Sequence, residues 1–366
     1  MINQTDLSTP HTGLCGCAHS RRSFLTGAGA ALGAGLGLSL GGSAEAAQGG
    51  MVANRIDVHH HFDPSQLAQG KTGPAMPGRW DLSRDLDDMA RGGVATAMLS
   101  WFAPPDPSAA ARAATARAIN DAGARLVADH PGRFRLLVDL PLPDIDVCLA
   151  ELTYGLDTLH ADGVVLLTND GKRWLGDPYY DPLFAELNRR RAVVFVHPVS
   201  AACCRNLVAG VPDTLIEYGA DSTRCIASLI FNGTTTRFPD VRFIFSHGGG
   251  ATMAVIERFL GGTHGEIVPG IETQGVAMFP AKQPPAGALA ELRRLYFDTA
   301  QASNAVVLGA LKQVMPISQI LYGTDYQFQT AEVTSRELRL ARVFSPAELR
   351  EIERGNALRL FPHAAG

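Results

Sequence analysis

The sequence predicts a (β/α)8 barrel, an α/β fold in which eight parallel strands form a closed ring inside a layer of helices. Eight short apolar runs recur along the chain, and they are continuous rather than alternating, as expected of strands that are buried on both faces. Most of the intervals between them have the features of helices, and strands that alternate with helices favour a barrel over the alternative, an open doubly wound sheet. The runs are Ile56–Val58, Thr96–Trp101, Phe134–Leu140, Gly163–Leu167, Val193–Val196, Phe243–Phe245, Leu295–Phe297 and Ile320–Tyr322.

Helix-end patterns support the helical intervals. Ser83 precedes a predicted helix that stops before Gly92-Gly93. Another helix is predicted to open at Asp181-Pro182, because proline is well tolerated at the first helical position, where the N–H has no partner. Ser345 and Glu348 have the spacing of a capping box, which predicts the start of the last helix.

Two connections are unusually long and rich in glycine and proline, Asp63 to Asp81 after the first strand and Gly261 to Gly287 after the sixth. Both leave the carboxyl ends of strands, where barrel enzymes build their sites. Loops of this length are typically lids, partner contacts or disordered segments.

Residues 1–46 are predicted to be a twin-arginine signal peptide rather than part of the fold. Ser20 to Gly27 holds the arginine pair, an apolar run follows from Ala28 to Leu40, and Ala44 to Ala46 fits a cleavage site. The apolar run is shorter than the roughly 20 residues that span a bilayer. We therefore expect residues 47–366 to be exported folded to the periplasm or beyond as a single domain without a stable membrane span; an uncleaved anchor or a chance arginine pair is the alternative.

The bulk composition excludes some classes of protein. A formal net charge of −4 gives no basic surface for nucleic acid. Beyond residue 46 only Cys148, Cys203, Cys204 and Cys225 remain, too few for a disulfide scaffold.

The clearest chemical signal is the pair His59 and His61 at the end of the first apolar run. Side chains alternate along a strand, so these two imidazoles point to one side, about 6–7 Å apart along the strand, and His60 points to the other. Two imidazoles on one side can bind a single ion.

Three further polar residues also end apolar runs: His197, His247 and Asp325. In a parallel barrel these ends meet on one face, so the groups are expected to converge on one metal ion. Imidazoles with a carboxylate suit zinc, manganese, iron or cobalt. A core histidine is the alternative for His197 and a helix N-cap the alternative for Asp325. After His247, Gly248 to Gly250 precede a helix predicted from about Ala251, whose N-terminus would favour an anion.

The segments DVHHHF, GVVLLTN, VFVHP, FIFSHGGG, YFDTA and GNALRLF resemble the amidohydrolase superfamily. Within it they are most similar to the branch of aminocarboxymuconate-semialdehyde decarboxylase and related aromatic-acid decarboxylases, and there to the 6-methylsalicylate decarboxylase group. The resemblance runs from Ile56 to Pro362.

The resemblance implies a role for each of these residues. It implies one divalent ion, zinc before manganese, without an organic cofactor; the ligands would be His59, His61, His197 and Asp325. His247 and Asp325 would be catalytic. The fourth predicted strand lacks the bridging lysine common in two-metal barrel hydrolases, which favours a single metal.

The resemblance also implies a homodimer in which Arg258 reaches into the neighbour's site; a surface arginine is the alternative. Four residues are candidates to line a pocket for the aromatic substrate, with ordinary packing or surface exposure as the alternative. They are Phe62, Trp101, Trp174 and Arg205.

The predicted function is the metal-dependent, non-oxidative decarboxylation of an ortho-hydroxy aromatic carboxylate such as 6-methylsalicylate. One alternative is a metal-dependent hydrolase of an ester, lactone or amide, which an export signal keeps open. The other is an exported barrel that binds metal without turnover, because fold alone does not fix function.

Overall fold

The computed structural model describes residues 54–67, 80–103, 108–260 and 284–365, all within the unit Gly50–Gly366. Eight parallel strands pair in chain order and confirm the predicted barrel. They lie close to the predicted apolar runs. The strands are β1 (Arg55–His61), β2 (Val94–Ser100), β3 (Phe134–Asp139), β4 (Gly163–Leu167), β5 (Val193–His197), β6 (Arg242–Phe245), β7 (Tyr296–Asp298) and β8 (Ile320–Leu321).

Backbone hydrogen bonds join the last strand to the first. Val58 N–H donates to the Tyr322 carbonyl at 3.0 Å, and His61 N–H donates to the Tyr326 carbonyl at 2.7 Å. In the opposite direction, Asp325 N–H donates to the His59 carbonyl at 2.9 Å. The loop after β8 is therefore fixed against the carboxyl end of β1.

Helices surround the ring and the described part of the chain holds thirteen α-helical segments, several of them a single turn. They are α1 (Pro64–Leu67), α2 (Leu82–Gly92), α3 (Ala109–Asp129), α4 (Ile145–Thr153), α5 (Asp181–Arg189), α6 (Glu217–Phe231), α7 (Thr234–Arg237), α8 (Ile256–Leu260), α9 (Ala288–Leu292), α10 (Ala305–Val314), α11 (Ala331–Leu340), α12 (Pro346–Arg350) and α13 (Asn356–Leu360). In this part of the chain no helix is both long and apolar enough to cross a membrane.

The predicted helix ends are largely confirmed. The start at Asp181 is confirmed, and Ser345 forms the capping box with Glu348. The start of α2 is a correction: Asp81, not Ser83, caps the helix, because its carboxylate accepts the Arg84 N–H. The helix expected from Ala251 is a 3-10 turn followed by the five-residue α8, too short to supply an anion site of its own.

The barrel has an inner and an outer hydrophobic core. Side chains such as Met98, Phe195 and Ile244 fill the ring itself. Their neighbours along the same strands face outwards and pack under the helices. This alternation follows from the two-residue period of a strand.

Strand β1 breaks the alternation with a β-bulge. Asp57 pairs with Ala97 and His60 pairs with Leu99, so three residue steps of β1 lie opposite two of β2. An extra residue of this kind shifts the phase of the side chains beyond it. Val58 and His59 lie within the bulge. Val58 packs in the inner core, and His59, the next residue, faces inwards as well.

The predicted signal segment, residues 1–46, lies outside the described residues, as do most of the two long connections.

Candidate metal centre

The structure brings together the four residues predicted as metal ligands. One nitrogen or oxygen atom from each of His59, His61, His197 and Asp325 lies within 4.8 Å of every other. His59 Nε2 is 3.1 Å from His61 Nε2, and each of these atoms is 3.1 Å from Asp325 Oδ1. All four side chains are buried. The ends of β1, β5 and β8 therefore converge as the sequence predicted.

Each ligand imidazole uses its Nδ1 atom for a hydrogen bond directed away from the centre. Such a bond fixes the tautomer, so that Nε2 presents a lone pair to a metal. The acceptors are Asp298 Oδ2 for His59 at 2.8 Å, the Ser100 carbonyl for His61 at 3.3 Å and the Pro198 carbonyl for His197 at 2.9 Å.

Asp325 supplies the test of whether this set fits a cation. Its Oδ2 accepts a hydrogen bond from Gln301 Nε2 at 2.6 Å, but its buried Oδ1 has no hydrogen-bond donor in the described part of the chain. A buried carboxylate oxygen facing imidazole lone pairs is unfavourable unless a positive charge lies between them. Three nitrogens and one oxygen form a donor set that suits a divalent transition metal.

The electrostatics of the ligands agree with this arrangement. Burial would lower the pKa of His59, but Asp298 and Asp325 raise it to about 10, which shows how strongly the pocket attracts positive charge. Burial lowers the pKa of His61 and lowers that of His197 well below its usual value. Burial would raise the pKa of Asp325, yet the facing imidazoles hold it below its usual range. Metals bind neutral imidazoles and ionised carboxylates, so His61, His197 and Asp325 are in the required form and an ion would replace the proton that His59 holds in its absence.

His247 lies beside the ligands without belonging to the set. Its ring centroid is 5.0 Å from that of His59 and 5.5 Å from that of His197. Its Nδ1 lies 3.2 Å from the carbonyl of Ala300. Burial, followed by the nearby His59, lowers the pKa of His247 and keeps the imidazole neutral. A neutral imidazole next to a metal can exchange a proton with a bound substrate.

Both residues predicted to be catalytic have a left-handed backbone, with φ of 54° at His247 and 64° at Asp325. Residues other than glycine rarely adopt this conformation, and it costs free energy that the surrounding contacts must offset. The strained backbone at these two residues is the conformation that holds their side chains at the centre.

Sequence reasoning missed Asp298, a fully buried carboxylate at the end of β7. Besides His59 Nδ1, it accepts the N–H of His247 at 2.8 Å and that of Ala300 at 3.0 Å. It therefore orients His59 and His247 together. Its position at a strand end is the same signal that identified Asp325.

Because Gly323 has no side chain, His59 and Asp298 can pack against its backbone. A Cβ atom at this position would lie 2.9 Å from the Cβ of Asp298 and 3.0 Å from the Cβ of His59. Any larger residue there would push the ligand and its orienting carboxylate apart.

Aromatic rings surround the ligands. The ring centroid of Trp101 is 6.0 Å from that of His61, so Trp101 lies close to the centre. Three further rings that the sequence did not identify approach the ligands from loops or helices rather than from strands. They are Phe102 at 4.8 Å from His197, Tyr218 at 5.8 Å from His197 and Phe328 at 6.1 Å from His61.

Two other predicted pocket residues lie elsewhere. Phe62 belongs to the outer core, where its ring packs beside Gly123 of α3. Alternation along β1 turns its side chain to the side of the strand opposite that of His61. Trp174 packs against the outer core, and its Nε1 donates to Asp221 at 2.7 Å. These placements correct the expectation that both rings line a substrate pocket.

The two arginines singled out in the sequence are exposed and do not contact the four ligands. Arg258 lies on α8. Arg205 lines a cleft with a cavity volume of about 120 Å³ at the carboxyl ends of β2 to β5, on the face of the barrel that holds the four candidate ligands.

Asp139 is a buried acid in the same cleft. Its Oδ2 accepts the Ala103 N–H at 2.9 Å. Burial raises the pKa of Asp139 to about 7, a shift that the Ala103 N–H opposes and Glu151 reinforces. Asp139 therefore takes up a proton within the neutral range.

A barrel with imidazoles and a carboxylate converging at its strand ends belongs to the class of metal-dependent barrel enzymes. A model of the amidohydrolase family matches residues 56–363. The chain belongs to this family, as the sequence motifs indicated.

The chain is similar to named decarboxylases. It is 33% identical over 335 residues to the decarboxylase yanB of Aspergillus niger, and the alignment covers 84% of this chain and 88% of the relative. It is 31% identical over 330 residues to the 6-methylsalicylic acid decarboxylase of Penicillium expansum, covering 85% and 97%. A dihydroxybenzoic acid decarboxylase from Polaromonas sp. JS666, solved with manganese and 2-nitroresorcinol, shares the fold with a TM-score of 0.69 and 20% identity over 86% of this chain and 98% of its own.

The ligand set predicts the metal content of single variants. Purified protein should hold about one divalent ion per chain, and His59→Ala or His197→Ala should lose most of it, because each change removes one of the four donor atoms that face the ion. Elemental analysis after dialysis measures the content. His363→Ala, the same change at an exposed position, is the matched control and should keep its ion. A His59→Ala protein with full metal content would remove His59 from the set.

The raised pKa of Asp139 predicts that the free energy of unfolding depends on pH. The folded protein holds this proton more tightly than the unfolded chain, so the free energy of unfolding should fall as pH rises from about 4 to about 7 and then level off. Asp139→Asn stays neutral and can still accept the Ala103 N–H. The variant should gain stability over the wild type by on the order of 1 kcal/mol or more at pH 8, and much less at pH 4. Equal differences in denaturant titrations at the two pH values would contradict this.

Proposed function

We propose that this protein is a metal-dependent carboxy-lyase that removes carbon dioxide from an ortho-hydroxy aromatic acid, with 6-methylsalicylate as the first compound to test. The observation that carries the proposal is the set of four aromatic side chains around the metal ligands, Trp101, Phe102, Tyr218 and Phe328. Aromatic walls around a charged centre suit a flat ring that carries a carboxylate. The Penicillium expansum relative is named for the same acid.

The reaction requires a proton on the ring carbon that loses its carboxylate. A divalent ion held by His59, His61, His197 and Asp325 would supply Lewis-acid polarisation of the carboxylate and the ortho hydroxyl. We assign the proton transfer to His247, whose Nε2 would take a proton from solvent and pass it to the ring carbon, because Oδ1 of Asp325 faces the ligands and Oδ2 accepts the Gln301 amide. Zinc is the proposed ion on its preference for imidazole with carboxylate, and manganese is the alternative.

The isotope content of the product tests the reaction. In deuterated water the product should carry one deuterium at the carbon that lost carbon dioxide, without added cofactor or oxygen. His247→Asn should keep its metal while the turnover number falls by roughly 10²–10⁴-fold, the usual contribution of a proton-transfer group. Mass spectrometry of the product and elemental analysis of the variant supply both measurements.

The two alternatives give different results in the same assay. Cleavage of esters or lactones with no release of carbon dioxide from any hydroxybenzoate would establish the hydrolase instead. A full complement of metal with no turnover of either substrate class would leave a metal-binding barrel.

We further propose that two chains form a homodimer in which Arg258 binds the substrate carboxylate of the neighbouring site. Its exposed position on α8 supports this.

Arg258→Ala should raise the Michaelis constant, and mixing it with inactive Asp325→Asn chains should restore activity, because one site of each mixed dimer is then complete. The exposed Arg189 gives the control, Arg189→Ala. A chain that stays monomeric at assay concentration would contradict the proposal.

We also propose export of the folded, metal-loaded protein through the twin-arginine route. Replacing Arg21 and Arg22 by lysine should retain it in the cytoplasm, as cell fractionation would measure. Continued export of the lysine variant would contradict this route.

A further inference from the structure

His60, between two metal ligands but facing away from them, is the centre of a buried polar cluster that the proposed reaction does not use. His60 Nδ1 lies 2.9 Å from Asp57 Oδ2, and Nε2 lies 2.8 Å from Asp85 Oδ1. The second oxygen of Asp85 accepts the Trp80 Nε1–H at 2.8 Å. His60, Asp57 and Asp85 have no solvent exposure. We call these three side chains the aspartate–histidine bridge.

The bridge spans the β-bulge of β1. Asp57 and His60 are the residues on either side of the extra step in the pairing with β2. Asp57 Oδ1 also accepts the N–H of His59, at 3.1 Å, inside the bulge. Without the bulge, alternation from Ile56 and Val58 would turn His60 into the barrel and both His59 and His61 out of it. The side chains that hold the bulge therefore decide which histidines reach the metal.

The same bridge also contacts the loop after β8, which carries the ligand Asp325. Asp57 accepts the N–H of Thr324 at 3.0 Å and its hydroxyl at 2.6 Å, directly before Asp325. Thr324 Oγ1 in turn accepts the N–H of Tyr326 at 3.0 Å, and the ring of Tyr326 stacks on His60 with centroids 4.8 Å apart. One cluster thus constrains the backbone on both sides of Asp325.

We propose that His60 is a positioning residue for the metal centre: by bridging Asp57 to Asp85 it fixes the bulge that directs His59, His61 and Asp325 at one ion. Asp85 anchors the bridge to α2, which lies outside the ring. The proposal rests on the metal assignment alone and is independent of the reaction catalysed.

A variant that breaks one end of the bridge provides the test. In His60→Gln, the side-chain amide can donate to Asp57, but its carbonyl then faces the carboxylate of Asp85. The proposal expects zinc affinity, measured by competition with a chelating dye, to fall about 10–100-fold, as is usual for groups that orient metal ligands. The absorption spectrum of the cobalt-substituted variant should also change, because the ligands are displaced.

A second variant repairs the bridge without histidine. In His60→Gln with Asp85→Asn, the Asn amide can donate to the Gln carbonyl and its own oxygen can still accept the Trp80 N–H. This pair should recover most of the zinc affinity and the wild-type cobalt spectrum. It also keeps the proposal testable if His60→Gln alone does not fold.

Leu187→Ala is the control for general destabilisation. Leu187 is buried on α5 in the outer core, away from β1. It should lower the melting temperature and leave the zinc affinity and cobalt spectrum unchanged.

Three results would overturn the proposal. One is wild-type zinc affinity and cobalt spectrum in a folded His60→Gln protein, which would leave His60 a stability role only. Another is a folded repair variant that still binds zinc weakly. Wild-type protein that binds no zinc, cobalt or manganese would remove the centre itself and, with it, the metal dependence of the proposed function. Failure of the His60 variants alone, in a protein that binds metal and releases carbon dioxide, would leave the proposed function standing.

Discussion

The convergence of four electron-donating atoms in a buried space is the constraint on which the rest of the structure depends. Three imidazole nitrogens and Asp325 Oδ1 would repel one another without a cation. The fold holds them in place through hydrogen bonds on their outer sides, such as the one between His59 and Asp298. The strained backbone at His247 and Asp325 is tolerated for the same purpose. Stability and metal binding are therefore coupled in this barrel, since an ion that binds only the folded state also stabilises it.

Much of the architecture was predictable because it depends on local pattern. Continuous apolar runs locate strands buried on both faces, and in a parallel barrel all their carboxyl ends lie on one face. His197 follows such a run directly and Asp325 comes three residues after the end of another, so their convergence with the His59–His61 pair could be inferred without coordinates. The prediction of one metal site needed only strand ends and alternation.

What the sequence did not reveal depends on tertiary contacts. The bulge in β1 leaves no signal in hydrophobic pattern, although it sets the phase of both histidines. Asp298 ends a strand of three residues, and its role appears only through the atoms it contacts. Phe62 directly follows the histidine pair in the sequence, but alternation places its ring in the outer core. Tyr218 reaches the centre from α6, a helix with no marker of the site.

The closure of the ring by its first and last strands determines when the centre can exist. Asp57 and Thr324 contact each other although they are 267 residues apart in the chain. Closing the ring needs both segments, whatever the order of folding, and the entropic cost rises only slowly with the length of the loop that is closed. A nascent chain still on the ribosome can expose His59 and His61, but it cannot complete the four-ligand set until β8 has emerged. Metal acquisition is thus confined to the interval after synthesis of the barrel ends, and truncated chains are excluded from it.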